Sequence, residues 1–396
     1  MDYTPHINGD LNPGAPAAKS AAAPRILVEL LAEADVRLNG HRPWDIRIHD
    51  PATYRRVLSR GSLGFGEAYM DGLWDAGQLD VLFERLLRAD IDRRIRLLPR
   101  LRLLLAGALS LLHNLLVNRQ AGRRAFEVGE RHYDIGNDIY QAMLDPTMSY
   151  SCGYWATADN LADAQLAKLD LICRKLDLQP GEHLLDIGCG WGGLASHAAR
   201  HYGVRVTGIT VSREQQRLAQ QRCAGLPVEI ALRDYREQRG RFDKIVSVGM
   251  FEHVGPKNYD TYFDTVHRLL AEDGLFLLHT IGNFETSRGS DPWIDRYIFP
   301  NGVLPSARQI SAAIEPQLVI QDWHNFGADY VPTLMAWWQN FDAAWPELRH
   351  RYDVRFYRMW KYYLHLCAGL FRSGQGQLWQ LVLSRRGQHL GYRSLR

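Results

Sequence analysis

The sequence lacks a segment long and apolar enough to cross a membrane. Its most apolar region, Leu97–Val117, is interrupted by Pro99, Arg100 and Arg102, and the longest apolar stretch, Leu103–Leu112, has ten residues. A membrane-spanning helix needs about 20 such residues. We therefore predict a buried or interfacial helix in this region. The N-terminus also lacks the charged start and apolar stretch of a secretory signal, so we expect none.

Cysteines are few and show no paired spacing. There are five in 396 residues, with no CxxC pair and no cluster with histidine, which argues against a zinc site and predicts no metal. An odd number of scattered cysteines without a signal peptide fits the reducing cytosol. We expect a cytoplasmic protein. The cysteines are Cys152, Cys173, Cys189, Cys223 and Cys367.

Charge is nearly balanced overall but not evenly distributed. The formal net charge is +3, yet Glu84–Arg131 contains eleven arginines against five acidic residues, beside the Leu-rich stretch. A basic and apolar combination suits the anionic surface of a membrane. The same pattern would also suit a core helix whose solvent face is covered by arginine, and both interpretations stay open. We expect no nucleic-acid partner.

The length is sufficient for two domains, at roughly 150 residues per domain. Residues 1–24 are rich in Ala, Pro, Gly and Asn, and we predict a disordered tail. Residues 25–125 form a predicted small, mainly helical N-terminal domain, and residues 126–396 a second domain. Within the first we expect helices at Ile26–Ala34, Pro51–Leu58 and Leu79–Leu87, a short strand at Ile46–Ile48, and a glycine-rich connector at Gly61–Trp74.

After Phe126 the pattern alternates between strands and helices. Such alternation predicts an α/β fold with a parallel sheet and helices on both faces, and ligands of such sheets bind at the carboxyl ends of the strands. The predicted strands are His183–Ile187, Val204–Ile209, Val228–Leu232, Asp243–Val248 and Leu275–His279. The predicted helices are Leu194–His201, Arg213–Ala224 and Tyr259–Leu270.

A glycine-rich loop follows the first of these strands. Asp186–Gly193 reads DIGCGWGG, and its four glycines let a ligand approach the backbone at a helix N-terminus. This string also fits the dinucleotide fingerprint. An NAD site usually has an acidic residue at the end of the second strand, where it binds the ribose hydroxyls. Here that strand is followed by Thr210–Ser212, which contains no acidic residue. Because Asp186 stands two residues before Gly188, as in the S-adenosylmethionine (SAM) methyltransferases, we favour SAM.

Four further motifs narrow the interpretation. They are Tyr150-Ser151-Cys152, Met250–Gly255, Leu278–Gly282 and Phe326–Tyr330. Together with the glycine loop and in this order, they make residues 25–396 resemble the cyclopropane-fatty-acid synthases, which are SAM-dependent enzymes related to the mycolic acid cyclopropane synthases. The resemblance implies a Rossmann-like SAM-dependent methyltransferase core with a smaller, mainly helical N-terminal lipid-binding domain.

The family reaction adds a methylene to a cis double bond of an acyl chain in a membrane phospholipid. The alkene attacks the SAM methyl group, and the resulting cation loses a proton and closes a cyclopropane ring. Such chemistry needs a base in an apolar site that excludes water. In the family this base is a bound bicarbonate, and the resemblance implies that it is held by Cys152, Glu252, His279, the backbone of Ile281, and Tyr330.

Several of these residues also have plain structural interpretations. Cys152 alone would be read as a small core residue, and His279 as a satisfied core histidine. Glu252 would have to share a proton with the anion, because two bare negative charges repel. Cys367, in the aromatic helix Tyr362–Phe371, matches a family position once considered catalytic, although we favour packing for it.

The resemblance also implies cofactor contacts. Tyr150 and Ser151 are expected at the methionine end of SAM. The expected backbone cradle is Gly188, Gly190 and Gly192, after Asp186. Thr210 and Gln215 are expected at the ribose, and Asp234, Tyr235 and Arg236 near the adenine.

Three functions therefore remain in view. The first is cyclopropanation of unsaturated acyl chains by a homodimer that is peripherally associated with the inner membrane surface. The second keeps SAM but makes methyl-branched acyl chains or methylates a small amine. The third is a lipid-binding or regulatory protein without catalysis. The presence of Cys152, Glu252, His279 and Tyr330 together favours the first.

Overall fold

The computed structural model describes residues 22–91, 136–287, 289–387 and 391–396. The predictions for the tail 1–24 fall almost wholly outside these ranges. So do the predicted helix at Leu97–Val117 and most of the arginine-rich stretch Glu84–Arg131. Among the described residues, no helix is both long and apolar enough to cross a bilayer.

The N-terminal elements are three helices and a minimal hairpin. In chain order they are α1 (Arg25–Glu33), β1 (Arg47–Ile48), α2 (Ala52–Met70), β2 (Trp74–Asp75) and α3 (Leu79–Arg88), with β1 and β2 antiparallel. The predicted helices near the positions of α1 and α3 are confirmed to within about one residue. The second predicted helix is confirmed at its start only, because α2 continues for twelve residues beyond Leu58.

The predicted connector at Gly61–Trp74 was therefore wrong. The chain bends at Gly61, whose φ of 55° and ψ of −132° are not helical, and then continues as a helix to Met70. Within the helix, Gly64 and Gly66 serve close packing rather than chain reversal. Gly72, with a φ of 74°, lies in the turn that follows Met70. A Cβ at Gly66 would lie 2.3 Å from the ring of Trp293. A glycine count alone cannot distinguish a turn from such an approach between a helix and a side chain.

A seven-stranded sheet forms the centre of the molecule. Its strands are β3 (His183–Ile187), β4 (Arg205–Thr210), β5 (Val228–Leu232), β6 (Phe242–Val248), β7 (Leu270–Asn283), β8 (Leu318–Asn325) and β9 (Gly376–Arg385). They lie in the order β5-β4-β3-β6-β7-β9-β8. The described helices that accompany them are α4 (Asn137–Met143), α5 (Leu161–Lys175), α6 (Gly193–Tyr202), α7 (Arg213–Arg222), α8 (Tyr259–Leu269), α9 (Pro292–Tyr297), α10 (Ala307–Ile314), α11 (Tyr330–Leu348) and α12 (Val354–Arg372).

The sheet is mixed, so the predicted parallel pairing holds for five of its seven strands. Strands β3 to β7 are parallel and were predicted, although β7 is longer than expected. Strand β9 runs antiparallel between β7 and β8. It follows two long helices, α11 and α12, and enters the sheet from the opposite end. A repeated strand–helix pattern does not anticipate such an insertion.

The N-terminal elements share a hydrophobic core with the C-terminal helices. Tyr362 of α12 lies with its ring centroid 4.9 Å from that of Phe83 and 4.4 Å from that of Trp293. Arg358, also on α12, donates a hydrogen bond to the carbonyl of Trp74 at 3.0 Å. Helix α12 therefore joins the N-terminal elements to the sheet. The predicted domain boundary at residue 125 lies outside the described residues.

The contact between α3 and α12 depends on a glycine, and replacing it should loosen the junction. A Cβ at Gly369 would lie 2.5 Å from the Cβ of Phe83 and 2.8 Å from the backbone nitrogen of Glu84. We expect Gly369→Ala to lower the free energy of unfolding by about 1–3 kcal/mol through overpacking. Helix propensity alone would make alanine more stable than glycine here by about 1 kcal/mol. A net loss of stability in Gly369→Ala would therefore come from the steric clash.

Urea denaturation measures this effect. Gly289→Ala is the control, because in the described part of the chain no atom lies within 4 Å of its added Cβ. A Gly369→Ala protein as stable as the wild type would show that α3 and α12 are not closely apposed.

Candidate active site

A cavity of about 200 Å³ lies at the carboxyl ends of β3, β4 and β6. The glycine loop between β3 and α6 forms one wall, and the segment before α5 forms another. This is where ligands bind in such sheets. Ten of the eleven predicted cofactor residues line it: Tyr150, Ser151, Asp186, Gly188, Gly190, Thr210, Gln215, Asp234, Tyr235 and Arg236.

The glycine loop exposes its backbone to this cavity. Gly188 and Gly190 have φ values of 84° and 53°, in the left-handed region that favours glycine. A Cβ at Gly188 would lie 2.9 Å from the side chain of Met250. Gly192 differs, because it is not among the cavity residues. A Cβ there would meet Ala219 and Cys223 at 3.1–3.2 Å, so this glycine lets the start of α6 pack against the end of α7.

Buried charges lie at the floor of the cavity. Asp186 is buried, and burial raises its pKa to about 7, an effect that the nearby Lys168 opposes. Its Oδ2 has no hydrogen-bond partner among the described residues. Lys168 of α5 is also buried and donates to the hydroxyl of Ser151 at 3.0 Å, and burial lowers its pKa to about 8.

Sequence reasoning missed Lys168. The signal that could have found it is its position on α5, where it stands four residues after Ala164 and four before Ile172, both buried. A lysine on the apolar face of a helix is buried with its charge, which is rare without a partner, and one that borders a cavity is a candidate site residue.

The predicted ribose and adenine residues form two local networks. The Thr210 hydroxyl donates to Oε1 of Gln215 at 2.8 Å. The Asp234 carboxylate accepts from Nε of Arg236 at 2.8 Å and from its backbone N–H at 3.0 Å. Arg236 also lies 5.3 Å from the ring centroid of Tyr235. These bonds fix the orientation of the side chains at the far end of the cavity.

Glu252 belongs to a second cluster beside the cavity. It lies on a short 3₁₀ turn, Phe251–His253, directly after β6. Its Oε1 accepts the backbone N–H of Ile281 at 2.7 Å, and its Oε2 is buried without a partner among the described residues. Burial raises the pKa of Glu252 to about 7, while the bond from Ile281 opposes the shift. The Ile281 amide thus orients the carboxyl group.

His279 lies on β7, two residues before Ile281. Its Nδ1 lies 3.2 Å from Nε2 of Gln380, and its Nε2 is buried with no partner among the described residues. Burial holds the pKa of His279 well below its usual range, and Lys168 and Lys175 add to the effect. The imidazole is therefore neutral at physiological pH.

Cys152 and Tyr330 complete this cluster. Burial raises the pKa of both groups well above their usual values, so thiol and phenol stay protonated. The Cys152 thiol donates to the Gly153 carbonyl at 3.2 Å. Tyr330 begins α11, lies close to Cys152, and stacks on Phe371 with ring centroids 4.4 Å apart. A protonated, buried thiol is a poor nucleophile.

Cys367 lies on α12, as predicted, and is partly buried. Burial raises the pKa of its thiol to about 12, and it is close enough to Tyr330 to influence that residue electrostatically. All five cysteines lie in the described part of the chain, and none forms a disulfide.

The two clusters are joined by short pieces of chain. Ser151 lines the cavity and Cys152 faces Tyr330. Likewise Met250 lines the cavity, and Glu252 lies two residues further on. Both regions therefore meet at the carboxyl edge of the sheet. Within the described ranges, no group of three or more His, Cys, Asp or Glu side chains could hold a metal ion.

The fold and the cavity are those of a SAM-dependent methyltransferase. The crystal structure of mycolic acid cyclopropane synthase CmaA1 complexed with S-adenosylhomocysteine (SAH) and CTAB matches with a TM-score of 0.61 at 34% sequence identity. That match covers 66% of this chain and 98% of the CmaA1 chain.

Sequence comparisons define the family. The family model of mycolic acid cyclopropane synthetase matches residues 120–381. The chain is 56% identical over 361 residues to the cyclopropane-fatty-acyl-phospholipid synthase of Escherichia coli K12, covering 91% of this chain and 93% of that one. It is 34% identical to the tuberculostearic acid methyltransferase UfaA1 of Mycobacterium tuberculosis, covering 94% and 92% respectively. The chain therefore belongs to the mycolic acid cyclopropane synthetase family, and the predicted resemblance is confirmed.

Removing the buried cation should weaken cofactor binding. Lys168→Met deletes the donor to Ser151 and the positive charge near Asp186. We expect the dissociation constant for SAH to rise by about 10- to 100-fold, the usual cost of a hydrogen bond to a charged group. Isothermal titration calorimetry measures it.

Lys244→Met is the matched control. Lys244 is a buried lysine on β6 that pairs with Glu182 at 3.7 Å and does not line the cavity. Unchanged SAH affinity in Lys168→Met would mean that this lysine only fills space.

Proposed function

We propose that this protein transfers a methylene from SAM to the cis double bond of an unsaturated acyl chain in a membrane phospholipid. The product is a cyclopropane ring, and bound bicarbonate is the general base. The observation that carries the proposal is the position of Glu252 and His279. Both are buried beside the cofactor cavity, and each has one polar atom, Oε2 of Glu252 and Nε2 of His279, without a hydrogen-bond partner among the described residues.

The cavity fits SAM. When bound, SAM supplies an electrophilic methyl group that becomes the ring methylene. The free Oδ2 of Asp186 suits the cationic amino group of its methionine part, and the backbone at Gly188 and Gly190 leaves room that a side chain would fill. Thr210 and Gln215 suit the ribose, and Tyr235 with Asp234 suits the adenine. Tyr150, whose hydroxyl lies 2.8 Å from that of Tyr363, presents an aromatic ring near the methionine end.

The second cluster fits bicarbonate. When bound, bicarbonate supplies the base that removes the proton from the transferred carbon. Glu252 has a pKa of about 7 and can share its proton with an anion, which removes the repulsion between two negative charges. His279 and the Tyr330 hydroxyl are neutral donors, and a donor favours the ionised form of an acceptor.

The surroundings of the cluster exclude water. Phe326 lies 5.8 Å from the ring of His279, and Phe371 stacks on Tyr330. A dry site strengthens each hydrogen bond to the anion and protects a cationic intermediate from hydrolysis. Cys152 contributes its small apolar side chain and its backbone N–H to this enclosure. We assign Cys367, which lies near Tyr330, to packing.

We further propose that residues 25–125 form a lipid-binding domain and that residues 126–396 form the catalytic domain. The family model begins only at residue 120, whereas the match to the E. coli phospholipid enzyme covers 91% of the chain. A peripheral homodimer on the inner membrane surface would present two lipid-binding domains to the membrane, one from each subunit. The surplus of arginine in Glu84–Arg131 favours an anionic lipid surface.

A second candidate is the formation of methyl-branched acyl chains. It is favoured by the similarity to UfaA1, which extends over more than nine-tenths of both chains. That product needs a further reduction after methyl transfer, so its mass differs from that of a cyclopropane.

The direct test combines purified protein, SAM and vesicles of unsaturated phospholipid in buffer freed of carbon dioxide. With added bicarbonate, mass spectrometry should show acyl chains heavier by one methylene group. Without it, turnover should fall. No mass gain under either condition would refute the function, a reduced methyl-branched product would support the second candidate, and turnover independent of bicarbonate would refute the assigned base.

Variants then separate chemistry from lipid binding. Glu252→Gln and Tyr330→Phe should each lower turnover about 100-fold or more, the range for general acid–base groups. Their binding to vesicles in a flotation assay should stay unchanged. Glu272→Gln, at an exposed position on β7, is the control. Equal losses of turnover and vesicle binding would argue against the assigned roles.

A further inference from the structure

Gln380 is a buried polar residue to which no role has yet been given. It lies on β9, between β7 and β8, and is fully buried. The register of the sheet places it opposite His279 on one side and His324 on the other. Directly opposed side chains of antiparallel strands lie close enough to interact. A glutamine between two histidines in the middle of a sheet has to satisfy its hydrogen bonds there.

Its amide contacts His279 and not His324. The amide nitrogen Nε2 of Gln380 lies 3.2 Å from Nδ1 of His279. His324 is held by another group, since its Nδ1 lies 3.1 Å from Nζ of Lys175. Gln380 therefore acts on His279.

The direction of this hydrogen bond fixes the proton on the ring. An amide nitrogen only donates, so Nδ1 of His279 accepts, and a neutral imidazole then carries its proton on Nε2. The reverse orientation of the amide would point its two N–H donors to the place of Oε1, where no partner lies among the described residues. The described orientation pairs one N–H of the amide and leaves the other N–H and the carbonyl oxygen without a partner among the described residues, whereas the reverse would leave both N–H groups without one. An orphaned buried N–H is rarer in proteins than an under-satisfied carbonyl oxygen, which favours the described orientation.

We propose that Gln380 is a positioning residue that holds His279 in the tautomer with its proton on Nε2. Resting on the proposed function, this means that His279 presents an N–H rather than a lone pair to the anion. The opposite tautomer would direct a lone pair at a negative charge and repel it. In functional histidines generally, the hydrogen bond made by one ring nitrogen determines which nitrogen carries the proton.

Three substitutions test the proposal. Gln380→Glu replaces the donor with a carboxylate that attracts a proton to Nδ1. Gln380→Leu removes the hydrogen bond at similar size. Gln377→Glu is the matched control, because it makes the same change on the same strand three residues away, opposite Gly282.

Nitrogen-15 NMR of the histidine rings reads the tautomer directly. There are 15 histidines, and comparison with His279→Asn identifies the signals of His279. The wild type and Gln377→Glu should show a protonated Nε2 and an unprotonated Nδ1. Gln380→Glu should protonate Nδ1, and Gln380→Leu should give a mixture of tautomers. In the assay above, kcat should fall by about 10- to 100-fold in Gln380→Glu, with KM for SAM unchanged.

Two results would overturn the proposal. One is a wild-type His279 with its proton on Nδ1, and the other is a tautomer that Gln380→Glu leaves unchanged. Because the NMR readout needs neither SAM nor bicarbonate, it does not depend on the proposed base. The expected tautomer together with turnover that ignores bicarbonate would support the role of Gln380 and refute the base alone.

Discussion

Removal of water from ionisable side chains at the carboxyl edge of the sheet is the constraint on which the rest of the structure depends. Burial raises the pKa of Asp186 and Glu252 to about 7 and holds that of His279 well below its usual range. In water the two carboxyl groups would be fully charged at neutral pH. In this enclosure each carboxyl group titrates close to neutral pH, so that Glu252 can share a proton with the anion it is proposed to hold.

The fold maintains this dry edge from several directions. Strand β9, inserted antiparallel beside β7, brings Gln380 against His279, and α11 begins with Tyr330 at the same place. Helix α12 supplies Phe371 behind Tyr330 and, on another face, packs against α3 through Gly369. One helix thus contacts both the proposed proton site and the N-terminal elements. The α3–α12 junction at Gly369 therefore lies on the same helix as Phe371, which stacks on Tyr330.

Much of the core was predictable from the sequence, because strands β3 to β7 follow a regular alternation and their motifs fall at strand ends. The glycine loop could be located from its own motif, and the family resemblance supplied the other predicted cofactor residues. All of them except Gly192 of the loop itself line one cavity. Other features are only partly specified by a local sequence pattern. Lys168 and Gln380 gain their meaning from neighbours distant in sequence, and the glycines of α2 resembled a turn because the approach of Trp293 is visible only in three dimensions.

The central claim is that Glu252 is desolvated enough to hold a proton near neutral pH. Carbon-13 NMR of protein labelled at the glutamate side-chain carboxyl groups tests it most directly, with Glu252→Gln to assign the signal. We predict that the Glu252 carboxyl titrates near pH 7, in bicarbonate-free buffer, well above the usual value for glutamate. Titration at the ordinary glutamate value would contradict the claim, because a carboxyl group that is fully charged at neutral pH would repel the anion it is proposed to hold.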